Sequence, residues 1–181
     1  VDLICTSPPY GDNSTTVTYG QYSILPLYWI DKSDLGKFDE QLIANYSSID
    51  SNSLGGNQRV RNGFESSILH DFLPRIDEKK QNKVKNFVLD YLNVMSELVR
   101  VLKVGKYMVL TLGDRRVDNQ VVPLSTITTE YLKSNGFILE KAITRNIPKK
   151  RMPRKVSKVD GNSVESMNQE YVLILKKVEN R

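Results

Sequence analysis

The sequence is poor in the two residue types that build covalent cross-links and zinc sites. Its 181 residues include one cysteine, Cys5, and one histidine, His70. A single cysteine cannot form a disulfide within the chain, and one cysteine with one histidine cannot make a Cys/His zinc site. We therefore expect the chain to work in a reduced, cytoplasmic setting.

Long hydrophobic runs are absent as well. No apolar run approaches the roughly 20 residues of a membrane-spanning helix, so we expect no membrane partner. The length is sufficient for one domain with a substantial core. The chain begins at Val1, within an apolar run and without an initiator methionine. We interpret it as part of a longer protein.

Positive charge, by contrast, is concentrated in one segment of a chain whose net charge is +5. Six basic residues lie within ten positions that hold no acid: Lys149, Lys150, Arg151, Arg154, Lys155 and Lys158. Such a cluster is typical of contacts to phosphates, which give affinity without sequence information. Arg59 and Arg61 are candidates for the same surface. A solvated surface loop is the alternative.

The apolar pattern predicts alternating strands and helices. Buried strands are predicted at 1–5 and 107–112, and further strands at 137–143 and 171–176. A helix interrupted by Pro26 is predicted at 22–30. Longer helices are predicted at 82–102, with Gly105 as its left-handed C-terminal cap, and at 124–135, capped near Gly136. This order predicts a doubly wound α/β sheet. Residues 11–21, the insertion near 45–66 and the basic segment near 148–165 are predicted as loops.

The segment from Thr6 to Tyr10 (Thr-Ser-Pro-Pro-Tyr) follows the first predicted strand. Its two prolines fix φ and remove two N–H donors, so strand pairing must stop there. Ser7 adds a hydroxyl that donates and accepts hydrogen bonds, and Tyr10 adds a flat ring that can stack. Such a strand end can hold the amino group of a planar heterocycle, as an enzyme acting on a flipped-out base must. A proline turn with a buried tyrosine is the structural alternative.

This segment resembles the Ser-Pro-Pro-Tyr motif of the DNA amino-methyltransferases. Those enzymes transfer a methyl group from S-adenosylmethionine to the exocyclic amine of cytosine or adenine. The likeness continues through Gly11-Asp12 and residues 15–21, and it is to enzymes of restriction-modification systems. A second block, Arg100 to Gly105, resembles the family's Arg-Val-Leu-Lys-x-Gly-Gly segment, with Lys106 in place of the second glycine.

The resemblance implies site residues, a cofactor and a substrate. It implies catalytic roles for Ser7, Pro8, Pro9 and Tyr10, and S-adenosylmethionine as cofactor, with Thr6 and Asp114 near it. A solvated turn carboxylate is the alternative for Asp114. The implied substrate is a flipped base in double-stranded DNA. Cytosine N4 is the implied target, because adenine enzymes more often carry Asp or Asn before the prolines.

The resemblance also implies a Rossmann-like methyltransferase sheet, partial in this chain, with helices on both faces and a C-terminal β-hairpin. A single domain would cover residues 1–181. The glycine turn with which such enzymes bind the cofactor is not found in the sequence. We expect it in the remainder of the same polypeptide, upstream of Val1 in preference to after Arg181, where permuted families carry it, or in a companion subunit. The isolated chain should therefore bind S-adenosylmethionine weakly or not at all.

Two other functions remain open at this point. RNA amine methyltransferases use similar Pro-Pro-Tyr motifs, although Asp or Asn before the prolines is commoner there. A catalytically silent module that only binds nucleic acid would also explain the basic segment and the missing glycine turn.

Overall fold

The computed structural model describes residues 1–11, 19–35, 40–56, 66–147, 155–159, 162–165 and 169–180. The strands are β1 (Leu3–Thr6), β2 (Tyr107–Leu112), β3 (Arg116–Val117), β4 (Gln120–Val121), β5 (Phe137–Asn146), β6 (Lys155–Val159), β7 (Asn162–Glu165) and β8 (Gln169–Lys177). The α-helices are α1 (Gly20–Trp29), α2 (Tyr46–Ser51), α3 (Ser67–Phe72), α4 (Glu78–Val101) and α5 (Leu124–Ser134). Short 3-10 helices cover Lys32–Leu35, Glu40–Ile43 and Leu73–Arg75.

The main sheet is mixed and four-stranded, in the order β1-β2-β8-β5. β1 and β2 are parallel, as predicted, and β8 is antiparallel to both β2 and β5. The predicted C-terminal strand pair, β5 with β8, is therefore confirmed. β8 is inserted between β2 and β5. A separate hairpin, β6 with β7, lies in the sequence between them, where we had predicted loop.

The sequence explains where helix α4 begins and which of its faces is buried. The side chain of Asp77 accepts a hydrogen bond from the backbone N–H of Lys79 and caps the first turn, and one face of the helix is buried. It begins four residues before the predicted start. Gly105 has the predicted positive φ of 82°, but it lies beyond the C-cap residue Leu102. Its N–H bonds to the carbonyl of Lys177, so it turns the chain into β2 and does not cap the helix.

The observed bounds of helix α5 agree with the predicted bounds to within one residue. The next residue after its C-cap Asn135 is Gly136, which has a φ of 81° as a left-handed cap requires. The hydroxyl of Tyr91 on α4 and that of Thr128 on α5 are 2.9 Å apart in the buried core. The two helices thus share one core with the sheet.

Both of these helices pack on the same face of the sheet, contrary to the expectation of helices on both faces. On β2, Met108, Leu110 and Leu112 are buried, whereas the alternate residues are partly exposed. Going from β1 to β2 and from β2 to β5 moves in one direction across the sheet, and right-handed crossovers then place both helices on one side. In the described part of the chain, the opposite face, which we call the open face, carries no such helix pair.

β1 shows the same asymmetry. The strand was predicted to be buried, but Leu3 is 60% exposed and Cys5 is exposed. The reason is position: β1 is an edge strand, and these two side chains lie on the open face, in register with Tyr107 and Val109. An apolar sequence alone does not distinguish a strand covered on two faces from one covered on a single face.

The insertion near 45–66 is only partly loop. Residues 46–51 form α2, whose first turn is capped by the side chain of Asn45. The carboxylate of Asp90 on α4 accepts a hydrogen bond from the N–H of Gly55 and anchors the end of this segment. Helix α1, predicted at 22–30, is confirmed with Pro26 inside it. Within the described ranges, no helix is both long and apolar enough to cross a membrane.

Candidate active site

Four strands have one of their ends at the same end of the main sheet, where its parallel strands finish. Ser7 follows the carboxyl end of β1, and Gly113 follows that of its parallel neighbour β2. β5 ends near Arg145, and the antiparallel strand β8 begins near Glu170 at the same edge. We call this end of the sheet the motif edge; it is distinct from the outer edge strands β1 and β5. The side chain of Arg115 lies so close to Gly11 that a side chain on Gly11 would collide with it, so the ends of β1 and β2 approach each other as expected.

The prolines end β1 as the sequence predicted. The strand stops at Thr6, and neither Pro8 nor Pro9 has an N–H with which to continue the ladder. Ser7 is exposed at this edge, whereas Tyr10 is partly buried. The hydroxyl oxygens of Ser7 and Tyr10 are 3.0 Å apart, so the chain reversal brings together two of the predicted site residues.

Tyr10 is also held by a residue of β8, which is separated from β1 by β2 in the sheet. Its hydroxyl donates to Oε1 of Glu170 at 3.2 Å. The other carboxylate oxygen of Glu170 accepts from Nε of Arg145 at 3.1 Å and from Nη2 of the same residue. Arg145 and Glu170 are register partners on β5 and β8. The site therefore contains a chain of side chains, Ser7–Tyr10–Glu170–Arg145, which we call the hydroxyl chain.

Sequence reasoning missed Glu170, Arg145 and Arg115. Glu170 is 160 residues from Tyr10, and only the strand order brings them together. The one local signal was the pair of opposite charges at the ends of two predicted strands. For Arg115, the signal was its position directly after the predicted Gly113-Asp114 strand end.

The environment keeps the Tyr10 phenol protonated. Burial raises the pKa of Tyr10 most, the hydrogen bond with Ser7 lowers it, and the neighbouring carboxylate of Glu170 raises it, so that the pKa lies above its ordinary value. At neutral pH the phenol is therefore a hydrogen-bond donor. The ion pair raises the pKa of Arg145, which is protonated in any case.

Asp114 occupies a different setting from the solvated turn considered above. One carboxylate oxygen accepts from the N–H of Ser125 at 2.9 Å and the other from its hydroxyl at 2.8 Å. Burial raises the pKa of Asp114, and the Ser125 hydrogen bonds act in the opposite direction. The side chain thus stabilises the first turn of α5. Its role near a cofactor stays a prediction, as does that of Thr6, the exposed last residue of β1.

The predicted phosphate-binding residues are described only in part. Lys149, Lys150, Arg151 and Arg154 lie outside the described residues, as do Arg59 and Arg61. Lys155 and Lys158 belong to β6, where they pair in register with Glu165 and Ser163 of β7. β5 ends at Asn146 and β8 begins at Gln169. Both of these positions are at the motif edge.

The known proteins to which this chain is similar are DNA methylases. The N6/N4 family model, described as DNA methylase, matches residues 1–181. The curated Type II methyltransferase M.MvaI of Kocuria varians is 32% identical over 192 residues, an alignment that covers 99% of this chain. The chain spans 41% of the length of that relative.

Among solved structures, a proposed DNA modification methylase from Thermus thermophilus is 22% identical to this chain. The alignment covers 53% of this chain and 38% of that one, with a TM-score of 0.38. The classification accordingly follows from the family match over the whole chain and from the identity to a curated methyltransferase. The chain belongs to the DNA methylase family.

Proposed function

We propose that this chain is the target-binding part of an S-adenosylmethionine-dependent DNA methyltransferase, and that its target is the exocyclic N4 amine of a cytosine flipped out of the duplex. In this proposal the domain is part of a Rossmann-like methyltransferase fold. The observation that carries the proposal is the contact of Ser7 with Tyr10 at the motif edge. In open sheets with parallel strands, ligands bind beyond the carboxyl ends of those strands.

The exposure of the two side chains supports this assignment. Ser7 is exposed, so its oxygen can be reached by a substrate, while Tyr10 is partly buried and tied to Glu170. A ring held in this way can stack on a base with little further loss of freedom. By analogy with single-strand stacking platforms, such a contact contributes about 1–3 kcal/mol per base.

The proposed chemistry asks for orientation more than for a covalent intermediate. The lone pair of an aromatic amine is delocalised into the ring, which makes the nitrogen a poor nucleophile. Hydrogen bonds from the amine to Ser7 and to a proline carbonyl would favour a pyramidal nitrogen with its lone pair directed at the methyl donor. Acceptors at these two positions would orient the amine, and no covalent bond between the protein and the base would be needed. Proximity and orientation supply most of the rate in this scheme.

The described residues do not make a complete site for the donor, which would supply an electrophilic methyl group when bound. Both oxygens of Asp114 are engaged by Ser125. The glycines with positive φ in the described ranges are Gly55, Gly105 and Gly136, and none of them stands between a strand and the helix that follows it. We therefore derive no step through the donor, and we place its glycine turn in another part of the protein.

The open face supports the proposal that this other part packs on the sheet. Four apolar side chains on it are 39–60% exposed: Leu3, Tyr107, Ile138 and Ile143. Several exposed apolar side chains on one face of a sheet are typical of a surface that another element covers. The M.MvaI relative has more than half of its length outside the matched region. We propose that the corresponding part of this protein, or a companion subunit that carries the cofactor motif, covers the open face.

Contacts to DNA are assigned to the basic segment. Its six lysines and arginines would bind phosphates, so each substitution should weaken binding similarly on all sequences and reduce the salt dependence. In the sequence this segment lies between β5, which ends at the motif edge, and β8, which begins there. Phosphate contacts would thus lie beside the proposed base pocket.

The test is methyl transfer from labelled S-adenosylmethionine to unmethylated DNA by the full-length protein. Tyr10→Ala should abolish transfer. Val104→Ala is the control, because Val104 is an exposed residue in the turn between α4 and β2, at the opposite end of the sheet and outside the open-face surface. Digestion of the product to nucleosides identifies the base, and N6-methyladenine would overturn the cytosine assignment. Transfer to RNA alone, or DNA retention without any transfer, would overturn the function proposed here.

A further inference from the structure

In each hydrogen bond of the hydroxyl chain, the donor can be identified from the groups that can donate and those that can only accept. Glu170 is 13% exposed at its side chain and is paired with Arg145. An ionised carboxylate only accepts hydrogen bonds, and the Arg145 guanidinium only donates them. The single hydroxyl proton of Tyr10 must therefore point to Glu170, at 3.2 Å.

This direction fixes the next hydrogen bond. The Tyr10 proton is already given to Glu170, so in the contact between Ser7 and Tyr10 the serine must be the donor. The proton of Ser7 then points inward, to the phenol oxygen. What Ser7 presents at the exposed motif edge is its lone pairs, which is what an N–H of an amino group requires.

The raised pKa of Tyr10 supports this arrangement, because the phenol keeps the proton that it donates to Glu170. The Arg145 ion pair has a complementary effect. It holds the Glu170 carboxylate at hydrogen-bond distance from Tyr10.

We propose that Glu170 is a positioning residue, which acts through Tyr10 to turn the Ser7 hydroxyl so that the target amine meets an acceptor. This inference rests on the proposed function and adds to it two residues, Glu170 and Arg145, that stand outside the Ser-Pro-Pro-Tyr segment. Glu170 does not touch the base. Its effect on substrate is transmitted by two hydrogen bonds.

Glu170→Gln should reverse the direction of the hydrogen bonds along the hydroxyl chain. Arg145 offers only donors, so the carboxamide oxygen of the new side chain would face Arg145 and its NH2 group would face Tyr10. Tyr10 would then accept from that group and donate to Ser7. The Ser7 proton would point outward, and the target amine would meet a donor where it needs an acceptor.

The experiment is a double-mutant cycle on the full-length protein. The rate of methyl transfer to DNA is measured in single turnover with excess enzyme for wild type, Glu170→Gln, Tyr10→Phe and the double variant. We expect Glu170→Gln to slow transfer about tenfold or more, because one substrate hydrogen bond is lost, with little change in DNA affinity. In the Tyr10→Phe background, Ser7 is no longer turned by a phenol, and Glu170→Gln should change the rate less than about twofold.

The outcomes separate the inference from the proposed function. If Glu170→Gln slows transfer equally in both backgrounds, Glu170 acts only as a cross-strand ion pair and the inference is wrong. Unchanged transfer by Glu170→Gln is equally contrary to it. Asp2→Asn, which removes a surface ion pair with Lys103 at the opposite edge, controls for general charge loss and should leave the rate unchanged. A wild-type protein that transfers no methyl group overturns the proposed function, and the positioning role with it. Thermal unfolding of all variants verifies that they are folded.

Discussion

Lys177 gives the sharpest test of how this chain holds its long helix against the sheet. Its side chain is 3% exposed, on the helix-covered face of β8. The ammonium donates to the carbonyl of Val99 at 2.8 Å and to that of Leu102 at 2.9 Å. Both carbonyls belong to the end of α4, where a helix has unsatisfied acceptors and a negative dipole end. Lys177 thus caps α4 from another element.

Lys177→Met keeps most of the volume of the side chain and removes the charge. Hydrogen bonds that involve a charged group contribute about 1.5–3 kcal/mol each. Part of this is recovered because no buried ammonium needs to be desolvated and a methionine packs well. We expect a net loss of about 2–4 kcal/mol in the free energy of unfolding, since two carbonyls are left without a donor.

The assay is urea denaturation followed by circular dichroism, with the free energy extrapolated to water. The matched control is Lys176→Met, one residue earlier, where the lysine lies 5.7 Å from the ring centroid of Tyr107 on the open face. That variant should lose no more than about 1 kcal/mol. Equal losses for the two variants would refute the assignment of Lys177 as the cap of α4.

Three further predictions concern pH, glycine and the helix interface. Burial raises the pKa of Asp114 above its ordinary 3.8; the folded state therefore binds this proton more tightly, and the contribution of Asp114 to stability should fall as the pH rises from below 3.8 through the raised pKa. Asp114→Asn should flatten that fall in urea titrations at several pH values, and an unchanged profile would contradict the reasoning. Gly105→Ala, at a φ of 82° with nothing within 4 Å of a new Cβ, should cost about 1–2 kcal/mol. Gly136→Ala, at nearly the same φ, should cost clearly more, because its Cβ would lie 2.5 Å from a backbone oxygen; equal melting temperatures would argue against this. Tyr91→Phe should cost about 1 kcal/mol by calorimetry through loss of the bond to Thr128, and no change would mean that the bond contributes nothing.

Local signals predicted the elements whose formation depends on neighbours in sequence. The period of the apolar residues predicted α4 and α5, and the positive φ of Gly136 followed from its place after a helix. The hairpin β6–β7 was missed, because a basic sequence with two prolines nearby gives no period-2 signal. Gly105 was assigned to the wrong partner, since the N–H that it carries bonds to β8 and not to α4.

The candidate site likewise contains residues that the sequence predicted and contacts that it did not. The segment from Ser7 to Tyr10 could be predicted from sequence, because two prolines, a hydroxyl and an aromatic ring after a strand limit what the backbone and side chains can do. Which partners Tyr10 has could not be predicted. Glu170 approaches it because β8 runs antiparallel beside β2, with its first residues at the edge where β1 ends.

By itself, then, the sequence determined the alternation of strands and helices, the end of β1 at the prolines and the chemical groups offered there. These depend on backbone geometry and on the spacing of apolar residues along a few turns or a few strand positions. Only the tertiary structure decided that α4 and α5 share one face, that the other face is open, that Asp114 caps α5, and that Glu170 and Arg145 orient Tyr10. Those features depend on how the elements pack and on strand order and register, which bring together residues as far apart in sequence as Tyr10 and Glu170 and leave no local pattern in the chain.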